Sequence, residues 1–315
     1  MSAALPPRGA RIRKWARGFR RRETLAAYAF LSPWMIGFLL FMLIPMVASF
    51  LLSLTDYDAL RAPTAVGLAN YRQLLEDPDV RKSLTNTLLY ALMSVPSTMA
   101  VSLGLAALLA RAGRRSAGLF RTLFYLPEIT PKVAVGVLFL FLFNGQAGLV
   151  NEVLGLFGVQ GPQWSTDGAW IKPGLVLMNL WSVGSTVVIY LAALKSVPPE
   201  LYEAAELDGA SRWRRFRHIT VPMISGALFF TLIVQTIAAL QTFDEAYTAF
   251  YGNASSAGYS SDAALFYLIY LFQQGFQFLH MGYASAMAWL LFAIIMVITL
   301  VQVRLSKRFV YYEGR

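Results

Sequence analysis

The sequence predicts an all-α membrane protein with six transmembrane helices. Of its 315 residues, 57% are hydrophobic and only 14% are charged, whereas soluble domains carry about 25% charged residues. A soluble protein of this composition would expose a large apolar surface to water. Long apolar runs alternate with polar loops, and each run approaches the roughly 20 residues that an α-helix needs to cross the hydrocarbon core. Lipid is therefore the expected surroundings of most of the chain.

The N-terminal residues 1–26 form a basic segment, which we expect in the cytoplasm. The apolar run that follows is too long for a cleavable signal peptide, and no small-residue cleavage site follows a short apolar region. The pattern also allows an amphipathic surface helix over residues 10–22. This segment is therefore expected to remain attached to the spans as a basic extension.

Six apolar runs are predicted to span the membrane, and a cytoplasmic tail of residues 305–315 follows them. The runs lie near residues 28–54, 84–110, 119–143, 171–194, 222–246 and 282–304. The first run contains Pro33 and Pro45, which predict a kink, a tilt or a start in the interface. Together, the runs define a six-helix transmembrane domain of residues 27–304.

The third run is unusual because it contains two charged residues, Glu128 and Lys132, whose burial in lipid would be costly. One interpretation pairs them across a helical turn. We favour the other, in which residues 119–130 lie along the membrane interface. The span itself then begins near Pro131.

The basic residues set the predicted orientation. Of 27 Lys and Arg residues, 21 fall before the first span, in the loops after the second and fourth, or after the sixth. Cytoplasmic loops carry this excess, so both termini of a protein in the plasma (inner) membrane are predicted to lie in the cytoplasm. The net charge of +10 is then a topology signal and a contact with anionic lipid. It does not indicate a nucleic-acid partner.

The polar loop between the fourth and fifth spans reads EAAELDGASRWRRFRHITVP over residues 203–222. Ser196 is the expected N-cap of a short helix whose first turn holds two prolines. Gly209 supplies the left-handed conformation that ends this helix. Ser211 is the expected cap of a second short helix, and Pro222 opens the fifth span. The loop is therefore predicted to be helix, glycine hinge and helix.

This loop closely resembles the EAA loop of bacterial ABC importer permeases. The matching residues are Glu203-Ala204-Ala205, Asp208-Gly209-Ala210 and Ile219-Thr220-Val221-Pro222, with Val221 where the family usually has leucine. Further matches lie at Ala193–Pro198, at Phe120-Arg121 to Pro127, and at Phe309–Glu313. The resemblance covers residues 25–313 and is closest to the carbohydrate-uptake (MalF/UgpA-like) branch, although the extra spans and large periplasmic insertion of some members are absent.

The resemblance implies a MetI-like type I importer permease fold and a set of partners. These are a second permease subunit (MalG/UgpE-like), a cytoplasmic ABC ATPase dimer, an extracytoplasmic solute-binding protein and a sugar substrate. The sequence has no G-x-x-x-x-G-K-[ST] nucleotide loop, so the chain is not expected to be an enzyme. ATP and Mg are expected on the partner ATPase, and no cofactor or metal is expected in this chain.

In such a permease, the loop at about residues 197–221 docks on the ATPase as a coupling helix. A docking surface is expected to have a small apolar core inside a charged rim. The expected core residues are Glu203, Ala204, Ala205, Asp208 and Gly209. The arginines that follow, Arg212, Arg214 and Arg215, are candidates for rim contacts or for contacts with lipid phosphates.

A sugar pathway would need polar and aromatic side chains that face the helix bundle, because such groups are costly against lipid. The candidates in spans four to six are Asn179, Trp181, Ser182, Gln235, Gln241, Asp244, Ser285 and Trp289. Packing between helices is the alternative role for these residues, since small polar residues commonly join membrane helices. Asp244 has the further alternative of a solvated place at the outer surface.

Three other functions are alternatives to sugar import. A glycerol-3-phosphate or other polar-solute permease of the same family would want Arg or Lys in its pocket, and spans four to six offer none in their interiors. An ion-driven secondary transporter would show internal repeats, and no convincing repeat is found. A membrane-embedded assembly subunit without a pore stays a third alternative.

Overall fold

The computed structural model describes residues 8–111, 114–251 and 262–310. The first eight helices, α1 to α8, are Arg8–Phe38, Ile44–Ser53, Ala69–Glu76, Pro78–Arg111, Arg114–Tyr125, Lys132–Leu142, Leu149–Leu156 and Gly168–Asn179. The next eight, α9 to α16, are Gly184–Ser196, Pro199–Leu207, Arg212–Arg215, Val221–Met223, Ser225–Leu240, Asp244–Phe250, Tyr267–Phe272 and Met281–Phe309. Residues 1–7 and 311–315 of the predicted terminal segments lie outside the described residues.

The six-span, all-α prediction is confirmed when each bent helix pair is counted as one span. Within the described ranges, four helical stretches are long and apolar enough to cross a membrane: Glu23–Ser53, Pro78–Arg111, Ser225–Phe250 and Met281–Phe309. Two further spans are each built from two helices that meet at an angle. One pair bends by 101° and the other by 57°.

The first span is one long helix that includes part of the basic N-terminal segment. α1 passes through a π-helical turn at Leu39–Leu43 into α2, and it crosses the predicted boundary at residue 26 without a break. The π turn lies between Pro33 and Pro45, where the sequence predicts a distortion, and such turns relieve a local disruption of the helix. None of its apolar stretch is buried within this chain. Apart from the contact of α2 with α16, the surface of this helix is therefore free for lipid or another subunit.

The third span breaks near Pro131, where the span itself is predicted to begin. The stretch Thr122–Ile129 and α6 meet at 101°, which confirms a change of direction at Pro131. α6 has 11 residues, or about 16 Å of helix, so it is shorter than the hydrocarbon core. The alternative pairing of Glu128 with Lys132 is not formed. The helix ends between them. The Glu128 carboxylate and the Lys132 ammonium group each contact a different residue.

α4 lies at the centre of the bundle, where it packs against α8, α9, α13 and α15. Its buried face carries small polar residues, among them Ser83, Thr87, Ser94, Thr98 and Ser102. Small residues let membrane helices approach closely, and their hydroxyl groups bond across the interface. The second span is thus the element that holds the others in place.

The loop segments at the end of the bundle opposite the EAA loop are tied together by hydrogen bonds. The strands β1 (Thr55–Asp56) and β2 (Thr64–Ala65) form an antiparallel pair. Asp77 follows α3 and caps α4 by accepting from the backbone N–H of Asp79 at 2.8 Å. Its second carboxylate oxygen accepts from the hydroxyl groups of Tyr270 at 2.7 Å and Tyr283 at 2.6 Å. One carboxylate therefore joins α4 to α15 and α16.

Replacing Asp77 with alanine is expected to destabilise the protein by about 2 kcal/mol, because it removes a helix cap and two charge-assisted hydrogen bonds. Burial raises the pKa of this carboxyl, but the hydrogen bonds from Tyr283, Tyr270 and the backbone outweigh it, so the pKa of Asp77 lies below its ordinary value of 3.8. Its contribution is fully present above 3.8 and is lost as pH falls through the folded pKa.

Thermal unfolding of the purified protein at pH 7 and below pH 4 tests this expectation, since the difference between wild type and Asp77→Ala should shrink in acid. Asp79→Ala is the control. Asp79 makes a surface ion pair with Lys82 at 3.5 Å, and such pairs contribute less than about 1 kcal/mol. A pH-independent difference would contradict the assigned role of the carboxylate.

Candidate functional site

The segment 197–221 consists of two helical arms. The first is α10, which begins with Pro199 at its first position, where a missing backbone N–H costs nothing. The predicted N-cap, Ser196, is wrong. Ser196 is the last residue of α9, and its hydroxyl donates to the carbonyl of Ala193 at 2.8 Å. Pro198, which has no side-chain donor or acceptor, occupies the cap position of α10 instead.

The turn between the arms is set by Gly209, as predicted. Its φ of +73° is in the left-handed region that favours glycine. The N–H of Gly209 donates to the carbonyl of Glu206 at 3.0 Å, and the N–H of Ala210 donates to that of Ala205 at 2.9 Å. These two bonds form a Schellman motif, which satisfies the last carbonyl groups of α10. The direction of the second arm is therefore fixed by a single residue.

The second arm runs as one helical stretch into the fifth span. The Ser211 hydroxyl accepts from the backbone N–H of Arg214 at 3.3 Å, which confirms the predicted cap. α11 continues through a π-helical turn at Phe216–Thr220 into α12, which contains Pro222. The stretch then turns at Ile224 before α13 begins. Motion of the turn at Gly209 can thus reach the span through a short, stiff connection.

Two side-chain contacts hold the arms together. Arg215 Nη1 lies 2.9 Å from Glu206 Oε1, and the hydroxyl groups of Tyr202 and Thr220 lie 2.9 Å apart. The first contact joins α11 to α10 near the turn. The second joins α10 to the π-helical turn that follows α11, at the end next to the membrane spans. The segment is therefore a closed hairpin, and we call it the coupling hairpin below.

The outer edge of the coupling hairpin carries the predicted docking residues. Glu203, Ala204, Asp208, Gly209 and Arg212 are exposed, and Ala205 is half-buried. The large apolar side chains of Leu207 and Trp213 are also exposed, with exposed fractions of 92% and 68%. Exposed large apolar side chains next to charged ones are typical of a surface that binds a partner.

The predicted pathway residues do not form one cluster. Asn179 donates to the hydroxyl groups of Ser94 and Thr98 on α4 at 2.9 and 3.2 Å. Gln235 donates to Thr186 on α9 at 3.0 Å. These two amides therefore lie between the central helices, where they also serve packing.

The other predicted pathway residues lie at the breaks or on the sixth span. Trp181 is 61% exposed and Ser182 is half-buried, both next to the bend of span four, while Gln241 and Asp244 are exposed at a turn in span five. Ser285 and Trp289 lie on α16, and the Trp289 ring packs 5.0 Å from Phe50 of the first span. The structure thus places the last two toward the first span and away from Asn179 and Gln235.

A polar joint connects the breaks of spans three, four and five, and its contacts could not be predicted from the sequence. The Glu128 carboxylate accepts from the hydroxyl and backbone N–H of Ser185 at 3.2 and 3.4 Å, so it caps α9. Lys132 Nζ lies 3.7 Å from Glu245 Oε1 on α14. Glu245 Oε2 and Thr242 Oγ1 are buried and have no hydrogen-bond partner within the described part of the chain.

Asn179→Ala and Trp181→Ala are expected to differ in their effects. The first should destabilise the protein by about 1 kcal/mol, because it removes hydrogen bonds between membrane helices. The second should change stability by less than about 0.5 kcal/mol, because the ring is mostly exposed, and should reduce sugar uptake. Thermal unfolding and uptake measured on the same preparations test both. A stability loss confined to Trp181→Ala would contradict the described packing.

Known proteins resemble the chain over nearly its whole length. Residues 100–311 match the family model described as "Binding-protein-dependent transport system inner membrane component". The chain is 41% identical over 301 residues to the probable ABC transporter permease YesP of Bacillus subtilis (strain 168), with 94% of each chain covered. It is 31% identical over 287 residues to the lactose transport system permease LacF of Rhizobium radiobacter, covering 90% of this chain and 94% of that one.

A solved structure shares the fold. It is a bacterial ABC transporter involved in the import of the acidic polysaccharide alginate, and its chain superposes with a TM-score of 0.76 and 25% identity, over 94% of this chain and 99% of that chain. This likeness confirms the predicted MetI-like permease fold. The chain belongs to the family of binding-protein-dependent transport system inner membrane components, as a permease subunit of an ABC transporter.

Proposed function

We propose that this chain forms half of the translocation pathway of a binding-protein-dependent sugar importer, and that the coupling hairpin connects it to a cytoplasmic ATPase. The observation that carries this proposal is the geometry of the hairpin. A Schellman turn at Gly209 presents Glu203, Ala204 and Asp208 on an exposed edge, while two contacts close the arms behind it. The resemblance of this segment to the EAA loop supports the same role.

The hairpin is suited to transmit force. Its second arm is helical up to a one-residue turn at Ile224, where the fifth span begins. The Glu206–Arg215 and Tyr202–Thr220 contacts stop the arms from opening. ATP and Mg are bound by the partner ATPase dimer, whose closure moves the hairpin as a unit. A second permease subunit (MalG/UgpE-like) supplies the other half of the pathway, and an extracytoplasmic solute-binding protein delivers the sugar. Both termini then lie in the cytoplasm.

A neutral sugar is the proposed cargo. The relative LacF is named for lactose transport, and spans four to six carry no Lys or Arg in their interiors. Lys132 of the third span is already paired with Glu245, so it does not offer a free cation to an anionic solute. Amide groups such as those of Asn179 and Gln235 match sugar hydroxyl groups in donor and acceptor capacity.

An acidic sugar is the second candidate. The observation that favours it is the fold likeness to the alginate transporter, whose cargo is an acidic polysaccharide. The two candidates differ in the charge that the pathway must bind. A partner permease with inward-facing arginines would supply the cation that this chain lacks.

The test combines a binding assay with transport. The purified solute-binding protein is titrated with a panel of neutral sugars, acidic sugars and glycerol-3-phosphate, and the best ligand is then used for uptake into vesicles that contain the whole importer. We expect a neutral sugar to bind best, and its uptake to require ATP and the ATPase. Uptake that continues after deletion of the ATPase would identify an ion-driven transporter instead.

A further inference from the structure

A cleft of about 470 Å³ opens where the second span meets the coupling hairpin. It lies between the end of α4, the end of α9 and the two arms of the hairpin. Its walls are formed by Ala107, Ala110, Arg111, Leu194, Tyr202, Arg212, Arg215, Phe216 and Thr220. The cleft is within the size range of small-molecule sites, so it is larger than a single bound ion requires.

Three guanidinium groups reach this cleft from two different elements. Arg111 is the last residue of α4, whereas Arg212 and Arg215 belong to α11. Arg215 has a side-chain exposure of only 17%, and among the described residues its acceptor is Glu206, which is 67% exposed. A guanidinium has five N–H donors, so one ion pair leaves most of its capacity unused. Among the residues that the structure describes, three arginines and no carboxylate line the cleft.

The rest of the cleft lining is mostly apolar. Ala107 and Ala110 of α4, Leu194 of α9 and Phe216 of the hairpin contribute the apolar part. The hydroxyl groups of Tyr202 and Thr220 bond to each other at the back. The cleft therefore combines arginine side chains with apolar ones, close to the ends of α4 and α9.

We propose that this cleft binds a phosphate group, either the phosphodiester of an anionic phospholipid or a soluble phosphate. Arginine forks bind phosphate oxygens in pairs, and the arginines that line this cleft come from two elements. A bound phosphate ties Arg111 of the second span to Arg212 and Arg215 of the hairpin. The hairpin then moves together with the second span, which lies at the centre of the bundle.

The first experiment tests lipid binding and uses the whole importer in nanodiscs of phosphatidylcholine with a small fraction of phosphatidylglycerol. Native mass spectrometry measures how tightly phosphatidylglycerol is retained. Arg111→Gln should weaken retention about ten-fold, which corresponds to the loss of one charge-assisted contact. Arg217→Gln is the matched control, because Arg217 is an exposed arginine of the same hairpin that does not line the cleft. An equal loss in both variants would show diffuse attraction and overturn the proposal.

The second experiment uses pure phosphatidylcholine nanodiscs and inorganic phosphate. Thermal stabilisation of wild type by millimolar phosphate, absent in Arg111→Gln, would identify a soluble phosphate as the ligand, whereas binding of phosphatidylglycerol alone would identify the lipid. Failure of both probes to bind wild type would overturn the proposal. If Arg111→Gln fails to assemble, Arg212→Gln takes its place. Binding is measured without transport, so this outcome is independent of the proposed sugar import.

Discussion

Gly209→Pro is expected to abolish ATP-driven uptake and to release the ATPase from the purified complex. Proline fixes φ near −65° and has no N–H, whereas Gly209 has a φ of +73° and donates to Glu206. The cost of about 3 kcal/mol is enough to reduce the population of the native hairpin about 100-fold. Uptake into vesicles and co-purification of the ATPase measure the two effects.

Gly158→Pro is the matched control. Gly158 has a φ of +75°, its N–H donates to Gly155 at 3.0 Å, and an added Cβ meets nothing within 4 Å at either glycine. The two substitutions therefore cause the same local damage, but Gly158 ends α7, far along the chain from the hairpin. We expect Gly158→Pro to keep the ATPase bound. Normal uptake by Gly209→Pro would remove the hairpin from the transport mechanism.

The coupling hairpin could be predicted from sequence because its structure depends on local chemistry. Gly209 and Ser211 act through their own backbone conformation or their own hydroxyl group, and the structure places both as expected. The predicted N-cap at Ser196 is wrong for an equally physical reason. A capping residue must lie outside the preceding helix, and α9 extends through Ser196, so its hydroxyl bonds backward.

The breaks in the spans divide into those that the sequence marks and those that it does not. Pro131 marks the break in the third span, and the structure has it there. The fourth span bends by 57° next to Gly184, but a single glycine in an apolar run is compatible with an unbroken membrane helix. The bend depends on the packing of α9 against helices from other parts of the chain.

The positions of the predicted pathway residues also depend on packing between distant parts of the chain. Helical spacing shows that Asn179 and Ser182 share a face, but it does not show which helix that face meets. In the structure Asn179 meets α4, and the face of Ser285 and Trp289 meets the first span. The charges of the polar joint were noted as costly in lipid, yet their partners Ser185 and Glu245 are more than 50 residues away in sequence.

Gly184→Ala is expected to be among the most damaging substitutions of a single methyl group in this chain. A Cβ at Gly184 would overlap the carbonyl oxygen of Phe124 and lie 2.8 Å from its carbon and 3.0 Å from Tyr125 Cα. These are backbone atoms, so no change of side-chain rotamer relieves the contact, and overpacking of this kind costs about 1–3 kcal/mol or more. Separation of α5 from α9 would also weaken the Glu128 cap on Ser185.

Gly226→Ala separates this effect from the general effect of a methyl group on a membrane helix. An added Cβ at Gly226 meets nothing within 4 Å, and alanine is the better helix former by about 0.5–1 kcal/mol, so this variant should be at least as stable as wild type. Thermal unfolding of the purified importer compares the two. Because the polar joint connects three broken spans, Gly184→Ala should also lower uptake at temperatures where the complex is still folded. Equal stability and uptake in both variants would mean that Phe124 does not approach Gly184 in the working transporter.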